Sequence, residues 1–236
     1  MRTRFSFAWA ALALVLCVRA TWAQPTPATP AQNKGIDPEL LAKVNAGDAE
    51  AQHELGDMYY FGQGVQRDYA QAAIWYRKAA EQGDHDSQYR IGVLYHFGWG
   101  VPRDDAQAFV WIKKSAEQDD ANAERLLSVC YAKGLGVPKD DAHEIFWLRR
   151  AAEDGDANSQ YIIGWVFEDG LQGYRQDYAE AYFWLNLAAS GPAAPKYRKE
   201  AVKRRDKVAS HLTQAELSRV QERVRDWHEE HPAQAQ

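Results

Sequence analysis

Near its C-terminus the chain reads Trp-His-Glu-Glu-His (Trp227–His231), which places two histidines three residues apart. On a helix that spacing brings both imidazoles to one face, where they can ligate a metal ion. A zinc-protease helix needs its histidines four apart with a glutamate directly after the first, a spacing this pentapeptide lacks. It reads as a solvated helix end. The seven histidines do not otherwise cluster, and the two cysteines, Cys17 and Cys130, sit in no nucleophile motif. There is no Gly-x-Ser-x-Gly, no phosphate-binding glycine loop and no dinucleotide fingerprint. No catalytic residue, metal or cofactor is expected, and the chain is not read as an enzyme.

Two other patterns could carry chemistry but recur too regularly to be sites. Gly62-x-Gly64 returns as Gly98-x-Gly100 and Gly134-x-Gly136, and Trp75 returns as Trp111 and Trp147, all at a period of 36. Tyr59, Tyr95 and Tyr131, and Asp68, Asp104 and Asp140, share that register. A fourth copy begins in register at Gly164, Phe167 and Gly170, then slips by one to Asp177 and Trp184. The slip puts one extra residue in the Leu171–Arg175 loop, where insertions are tolerated. A fixed period of this length marks stacked supersecondary units. The glycine pairs then read as turns and the tryptophans as core.

Each unit predicts two helices. In the first, Ala51, Leu55, Met58 and Tyr59 fall at helical spacing. Gly62 and Gly64 end the helix, because glycine accepts the left-handed conformation at low cost. Asp68 is a natural N-cap for the second helix, which stops at Gly83. Gly56, Gly92 and Gly164 recur in mid-helix at a cost of about 1 kcal/mol each, which makes sense where a partner helix crosses. A single hairpin cannot bury both its apolar faces, so neighbouring hairpins must cover one another.

The stretch Ala49–Gly83, AEAQHELGDMYYFGQGVQRDYAQAAIWYRKAAEQG, resembles the Sel-1-like repeat, a relative of the tetratricopeptide repeat. It carries the family's Ala-x-Ala-Gln, Leu-Gly-x-x-Tyr, Gly-x-Gly-Val, Asp-Tyr-x-x-Ala and Trp-Tyr-x-Lys-Ala-Ala-Glu-x-Gly elements. The second and third units match well; the fourth departs at Gln172, which breaks the Gly-x-Gly. The resemblance spans residues 47–191 and implies an all-α fold: an α/α superhelical solenoid of about four two-helix repeats (47–83, 84–119, 120–155, 156–191). It also implies protein–protein scaffolding, in envelope regulation, secretion or host contact. Some relatives carry a cysteine pair in every unit and are linked to hydrolysis of cell-wall-like substrates. This chain lacks those cysteines, so that activity does not carry over.

The ends read differently. Arg2 and Arg4 precede a short apolar run, and Ala23 closes a small-residue site, so residues 1–23 read as a secretory signal peptide. Cleavage takes Lys+Arg from 28 to 25 against 33 Asp+Glu, which argues against a nucleic-acid partner, and it leaves Cys130 as a lone buried thiol. Residues 24–36 begin QPTPATPAQNK and read as a disordered linker. Asp37 caps a lid helix on the 37–191 solenoid. Residues 192–230 supply C-terminal capping helices, the second opened by a Thr213/Glu216 capping box, and 231–236 form a tail. The basic run Lys196, Arg198, Lys199, Lys203, Arg204, Arg205 and Lys207 offers itself to an acidic partner or to lipid headgroups.

In solenoids of this kind the first helices line the concave side. Positions 53, 57 and 60 share a face, and their equivalents predict a partner-binding stripe containing Tyr60, Tyr89, Val93, His96, Arg125, Tyr161 and Trp165. Tyr89, Tyr161 and Trp165 would be its aromatic anchors. Inter-unit core is the alternative for the same stripe. Trp99, between two glycines, is a second exposed candidate. The expectation is an exported, periplasmic or secreted scaffold of a Gram-negative envelope that holds a protein or extended peptide. It needs no nucleic acid and no stable membrane insertion once the signal is cleaved, and its oligomeric state is open. An envelope-associated cell-wall- or polysaccharide-active or -binding protein is the alternative, and a membrane-surface adaptor acting through residues 196–207 the third.

Overall fold

Residues 35–171, 174–191 and 195–231 are described by the computed structural model; the expected signal peptide (1–23), residues 24–34 of the expected linker and residues 232–236 of the expected tail lie outside them. Among the described residues there are eleven α-helices and no strand. They are α1 (Pro38–Asn45), α2 (Ala49–Phe61), α3 (Tyr69–Glu81), α4 (His85–Phe97), α5 (Asp105–Ala116) and α6 (Ala121–Lys133). There follow α7 (Asp141–Glu153), α8 (Ala157–Asp169), α9 (Tyr178–Ser190), α10 (Pro195–Ala209) and α11 (Gln214–Glu230). The chain divides into two compact units at Asp140/Asp141, between the two helices of the third repeat.

Aspartates start most of these helices. Asp48, Asp84 and Asp120 cap α2, α4 and α6, and Asp68 and Asp104 cap α3 and α5, each carboxylate accepting from amides of the first turn. Gly62, Gly98, Gly134 and Gly170 end the first helices in the left-handed conformation. Each loop is then closed by the amide of the aspartate that precedes the next helix. Asp68, Asp104, Asp140 and Asp177 donate to the carbonyls of Tyr59, Tyr95, Tyr131 and Phe167 at 2.9–3.2 Å. The fourth loop keeps this clamp across one extra residue, as the slip in register predicts.

Within the first unit, α2 pairs with α3 and α4 with α5, while α3 on α4 and α5 on α6 join successive repeats. Gly56 and Gly92 mark where the paired helices cross. A Cβ at Gly56 would stand 2.6 Å from Tyr76 Cδ1, and one at Gly92 would stand 2.7 Å from Ile112 Cγ1. Buried glutamines stitch the stack. Gln82 Nε2 donates to Gln52 Oε1 and Gln118 Nε2 to Gln88 Oε1, while Gln88 Nε2 reaches the Ala80 carbonyl of the preceding repeat. Ile36, Leu40 and Val44 pack on Ala51 and Leu55, so α1 serves as the expected lid.

In the second unit α8 packs on both α7 and α9, and a Cβ at Gly164 would stand 2.7 Å from Leu185 Cγ. Helices α10 and α11 both cover α9, burying Ala201, Val208, Val220 and Val224. The Thr213/Glu216 capping box opens α11 as its spacing predicts. Trp111, Trp147 and Trp184 are core residues and Trp75 is half-buried; Lys78, Lys114 and Arg150 lie over the rings of Trp75, Trp111 and Trp147.

Candidate partner-binding surface

The stripe expected to line an open groove is instead a packing seam. Tyr60, Tyr89, Val93, Tyr161 and Trp165 are all buried, and Arg125 is half-buried. In the first unit the seam holds two repeats together. His53 Nδ1 lies 2.8 Å from Ser87 Oγ and 3.4 Å from Asp84 Oδ1, both at the start of α4. Asp57 accepts from Tyr76 Oη at 2.5 Å and lies 3.8 Å from Arg90. In the second unit the chain covers the stripe with its own helix. Tyr197 of α10 packs against Tyr161, Arg204 lies over the Trp165 ring, and Arg204 and Lys207 both reach Glu168 at 2.7 Å. Glu168 is 2% exposed. The cause is plain: residues four and three apart face whichever neighbour the stacking presents, and that neighbour is α4 in the first unit and α10 in the second.

The basic run is accordingly drawn partly inward. Besides Arg204 and Lys207, Arg205 pairs with Asp206 and Arg198 donates to the Gly191 carbonyl. Lys199 and Lys203 remain exposed. The histidines of the 227–231 pentapeptide point to different partners: His231 stacks on Trp227 and bonds its carbonyl, while His228 Nε2 lies 3.4 Å from Ser190 Oγ. Cys130 is a buried free thiol whose pKa burial pushes up to about 12, so it is chemically quiet.

Aromatic rings do reach the surface in the first unit, one helical step away from the stripe. Phe61 is 45% exposed, and Tyr69, Phe97 and Trp99 are half-buried. They form a continuous face. Phe61 packs edge-on to Tyr60 at 4.8 Å, Tyr60 to Tyr69 at 5.4 Å, Trp99 stacks on Tyr69 at 5.5 Å and Phe97 on Trp99 at 4.7 Å. Local structure dictates this placement. Gly98 and Gly100 both take φ +68°, and Gly100 is pressed against the backbone of Tyr69 and Ala70. That close approach lays the intervening Trp99 over the Tyr69 ring.

Cations rim the face. Arg90 lies 5.6 Å over the Tyr60 ring and 5.4 Å over Phe61, and Arg67 lies 5.6 Å over Tyr69. His96, from the predicted stripe, packs on Phe97 and bonds Asp105 at 2.7 Å, and Arg103 holds the other oxygen of that carboxylate. Tyr69 Oη is shielded from solvent and has no hydrogen-bond partner among the described residues. Rigid aromatic surface with nearby donors is the chemistry of peptide and protein recognition. Trp99 and Tyr60 were legible in the sequence. Phe61, Tyr69 and Phe97 were not, since only the loop-to-helix contact between repeats gathers them.

Comparison with known proteins completes the description. The Sel1 repeat family model matches residues 49–84, 85–120, 121–156 and 157–191. A solved Sel1 repeat protein from Oxalobacter formigenes is 29% identical, with 76% of this chain and 69% of that chain aligned and a TM-score of 0.59. The protective antigen c5321 of uropathogenic Escherichia coli strains, displaying an SLR fold, is 25% identical over 94% of this chain and 61% of that one, with a TM-score of 0.41. Helicobacter pylori cysteine rich protein B is 19% identical over 55% and 96%, with a TM-score of 0.43. No protein with a curated description matches. Four consecutive matches cover most of the described helices, and the mid-helix glycines, buried glutamines and turn clamps explain why each repeat element is where it is; the chain belongs to the Sel1 repeat family, an all-α repeat fold whose members generally serve as protein–protein interaction scaffolds.

Proposed function

We propose that the chain is an exported, non-enzymatic scaffold that holds a protein or extended peptide on the aromatic face of its first two repeats. The observation that carries this reading is the run Phe61–Tyr60–Tyr69–Trp99–Phe97, ring against ring and open to solvent at Phe61. Large rigid rings beside arginines dominate binding energies where they are buried by a partner. The N-terminal sequence supports export to the envelope. No described helix is long and apolar enough to cross a membrane.

The test is a crosslinked capture from an envelope fraction, comparing the native protein with a Phe61→Ser, Trp99→Ser variant. Circular dichroism first establishes that the variant keeps its helices. The expected result is a defined partner captured by the native protein and reduced at least tenfold by the variant. Equal capture by both proteins would place the partner elsewhere. Cleavage after Ala23, read by mass spectrometry of the exported protein, tests the export half separately.

A further inference from the structure

The second helices of the first three repeats each leave a large apolar side chain in solvent, at the same place in the repeat. Ile74, Val110 and Phe146 stand 36 residues apart and are 47%, 45% and 53% exposed. Scattered exposed apolar residues are ordinary, but these recur with the repeat. Two of them border a groove. In the first unit, Ala70, Ala73, Ile74 and Arg77 of α3 face Gly100 and Val101 across a groove of about 350 Å³. Gly100 is pressed against the backbone of Tyr69 and Ala70, so the turn of the next repeat forms the far wall. In the second unit the same positions of α7, Ala142, Ile145, Phe146 and Arg149, border a groove of about 490 Å³ with Tyr174. Tyr174 precedes Asp177 by three residues, as Val101 precedes Asp104, so it holds the matching place in its turn.

The fourth repeat shows what such a place receives. With the slip of one residue, Phe183 of α9 is the counterpart of Phe146, yet it is only 6% exposed. Helix α11 covers it. Arg223 lies 4.4 Å over the Phe183 ring and pairs with Glu180 at 2.7 Å, and Gln221 donates to Tyr182 Oη at 3.4 Å. Val220 and Val224, one turn apart on α11, are buried. The chain's own occupant of this position is therefore an amphipathic helix. The open grooves differ from the covered one in charge. Where α9 carries Asn186 and Leu187, α3 carries Arg77 and Lys78, and α7 carries Arg149 and Arg150. Arg149 pairs with Glu153, but both side chains are about half exposed, and such a pair is worth little enough to exchange for another carboxylate. Two adjacent cations disfavour an arginine-bearing helix like α11 and favour a helix of opposite charge.

We infer that the grooves at Ile74 and Phe146 are each a docking site for an acidic amphipathic helix of a partner protein, seated on the second helix of the repeat as α11 is seated on α9. Two aliphatic residues one turn apart meet Ile74 or Phe146, and flanking carboxylates meet the paired cations. This is a second surface: Phe61, Tyr69, Phe97 and Trp99 line neither groove.

The probe is a fluorescein-labelled peptide of residues Thr213–Glu230 carrying Arg219→Glu, Arg223→Glu and Arg225→Glu. It keeps the capping box and the two valines and reverses the charge of the arginines. Its anisotropy is titrated with the full chain, with an Ile74→Ser, Val110→Ser, Phe146→Ser variant and with an Ile74→Leu, Val110→Leu, Phe146→Leu variant. Val110 is changed as well so that the third equivalent position cannot substitute for the other two. Circular dichroism first establishes that both variants keep their helices. The native chain and the leucine variant are expected to bind the probe, more weakly as salt is raised, and the serine variant at least tenfold more weakly. The unmodified Thr213–Glu230 peptide is expected to bind the native chain at least tenfold more weakly than the acidic probe. No binding of the probe to the native chain overturns the inference, and so does a serine variant that binds as the native chain does. A leucine variant that loses binding as fully as the serine variant overturns the apolar seat, and equal binding of the unmodified peptide overturns the charge match. Sedimentation of the native chain across a range of concentrations gives the last outcome: self-association abolished by the serine substitutions overturns the inference, since the occupant is then a second copy. The titration requires neither export nor the partner of the aromatic face, so the proposed function and this inference can fail separately.

Discussion

A Cβ on Gly100 would stand 2.2 Å from the carbonyl carbon of Tyr69 and 2.4 Å from the amide nitrogen of Ala70, 31 and 30 residues earlier in the chain. The second glycine of the Gly-x-Gly turn is therefore an inter-repeat contact as well as a left-handed residue. Gly136 repeats the relationship one unit on, 2.0 Å from Asp105 O. Gly64 has a similar φ of +74° but meets only the end of Met58 at 3.4 Å and Gly35 O at 3.8 Å.

Those two glycines separate conformation from contact. Gly64→Ala is expected to lose about 1 kcal/mol, the cost of placing a Cβ in the left-handed region. Gly100→Ala carries the same cost plus backbone overlap, and overpacking typically adds 1–3 kcal/mol. Urea unfolding midpoints of the two variants measure the difference. Equal losses would show that the turn, and not the approach to Tyr69, sets the requirement.

Asp119 provides the converse case. It has φ +64° at the place where the first and third repeats carry Gly83 and Gly155, at +101° and +89°. A non-glycine residue held there stores of order 1 kcal/mol of strain. Asp119→Gly is expected to recover part of that, up to about 1 kcal/mol, against the extra chain entropy glycine brings to the unfolded state. Thermal unfolding checks it; a destabilised variant would mean that the contacts made by the Asp119 side chain outweigh the strain.

Glu168 ties α10 to the first helix of the fourth repeat through Arg204 and Lys207. The carboxylate is 2% exposed, whereas the Arg204 and Lys207 side chains are 24% and 64% exposed. Glu168→Gln leaves the cations water to turn to, so the expected loss is that of charged hydrogen bonds, about 2 kcal/mol, and not that of a stranded buried charge. Hydrogen exchange should rise in α10 while α2 and α3 are unaffected. Unchanged protection in α10 would show that Tyr197 and the apolar contacts hold the helix alone.

Local rules made much of this fold legible. The period of 36, the aspartate caps, the αL glycines and the capping box are short-range signals, and each appears where its residues sit. Gly56, Gly92 and Gly164 betrayed the helix crossings because nothing else justifies glycine in mid-helix. The exposed aromatic face was not legible in the same way. Tyr60 and Phe61 are adjacent, but one residue turns a helix by about 100°, so one lies in the seam and the other faces water. Which of them does so depends on how α4 packs beside α2, a tertiary choice that periodicity does not encode. The assembly of Tyr69 with Trp99 depends likewise on a backbone approach between repeats.

The seam also carries a pH signature at His53. The ring faces Asp84, Asp57 and Ser87, with Tyr76 packed 5.7 Å away. Hydrogen bonding to Asp84 foremost, helped by the charges of Asp57, Asp84 and Asp86, raises the His53 pKa above 6.5 against the opposing effect of burial. Asp84 titrates lower, at about 2: burial alone would raise it, but its bonds to His53 and Ser87 outweigh that. A folded-state pKa above the unfolded value means that protonated His53 stabilises the fold fully below about pH 6.5. That contribution is lost as pH rises through the folded pKa. Asp84 acts oppositely, stabilising above about pH 4 and failing as pH falls toward 2. The His53→Gln variant removes the first effect and part of the second, since His53 is one of the groups that hold Asp84 low, but Asp84 titrates far below the range that reports on His53. The stability difference between native protein and variant is therefore expected to shrink between pH 6 and 8 and to be largest at the acidic end of that range. Denaturant unfolding across these pH values measures it. A difference that stays flat would mean that His53 acts through its bond to Ser87 without carrying charge.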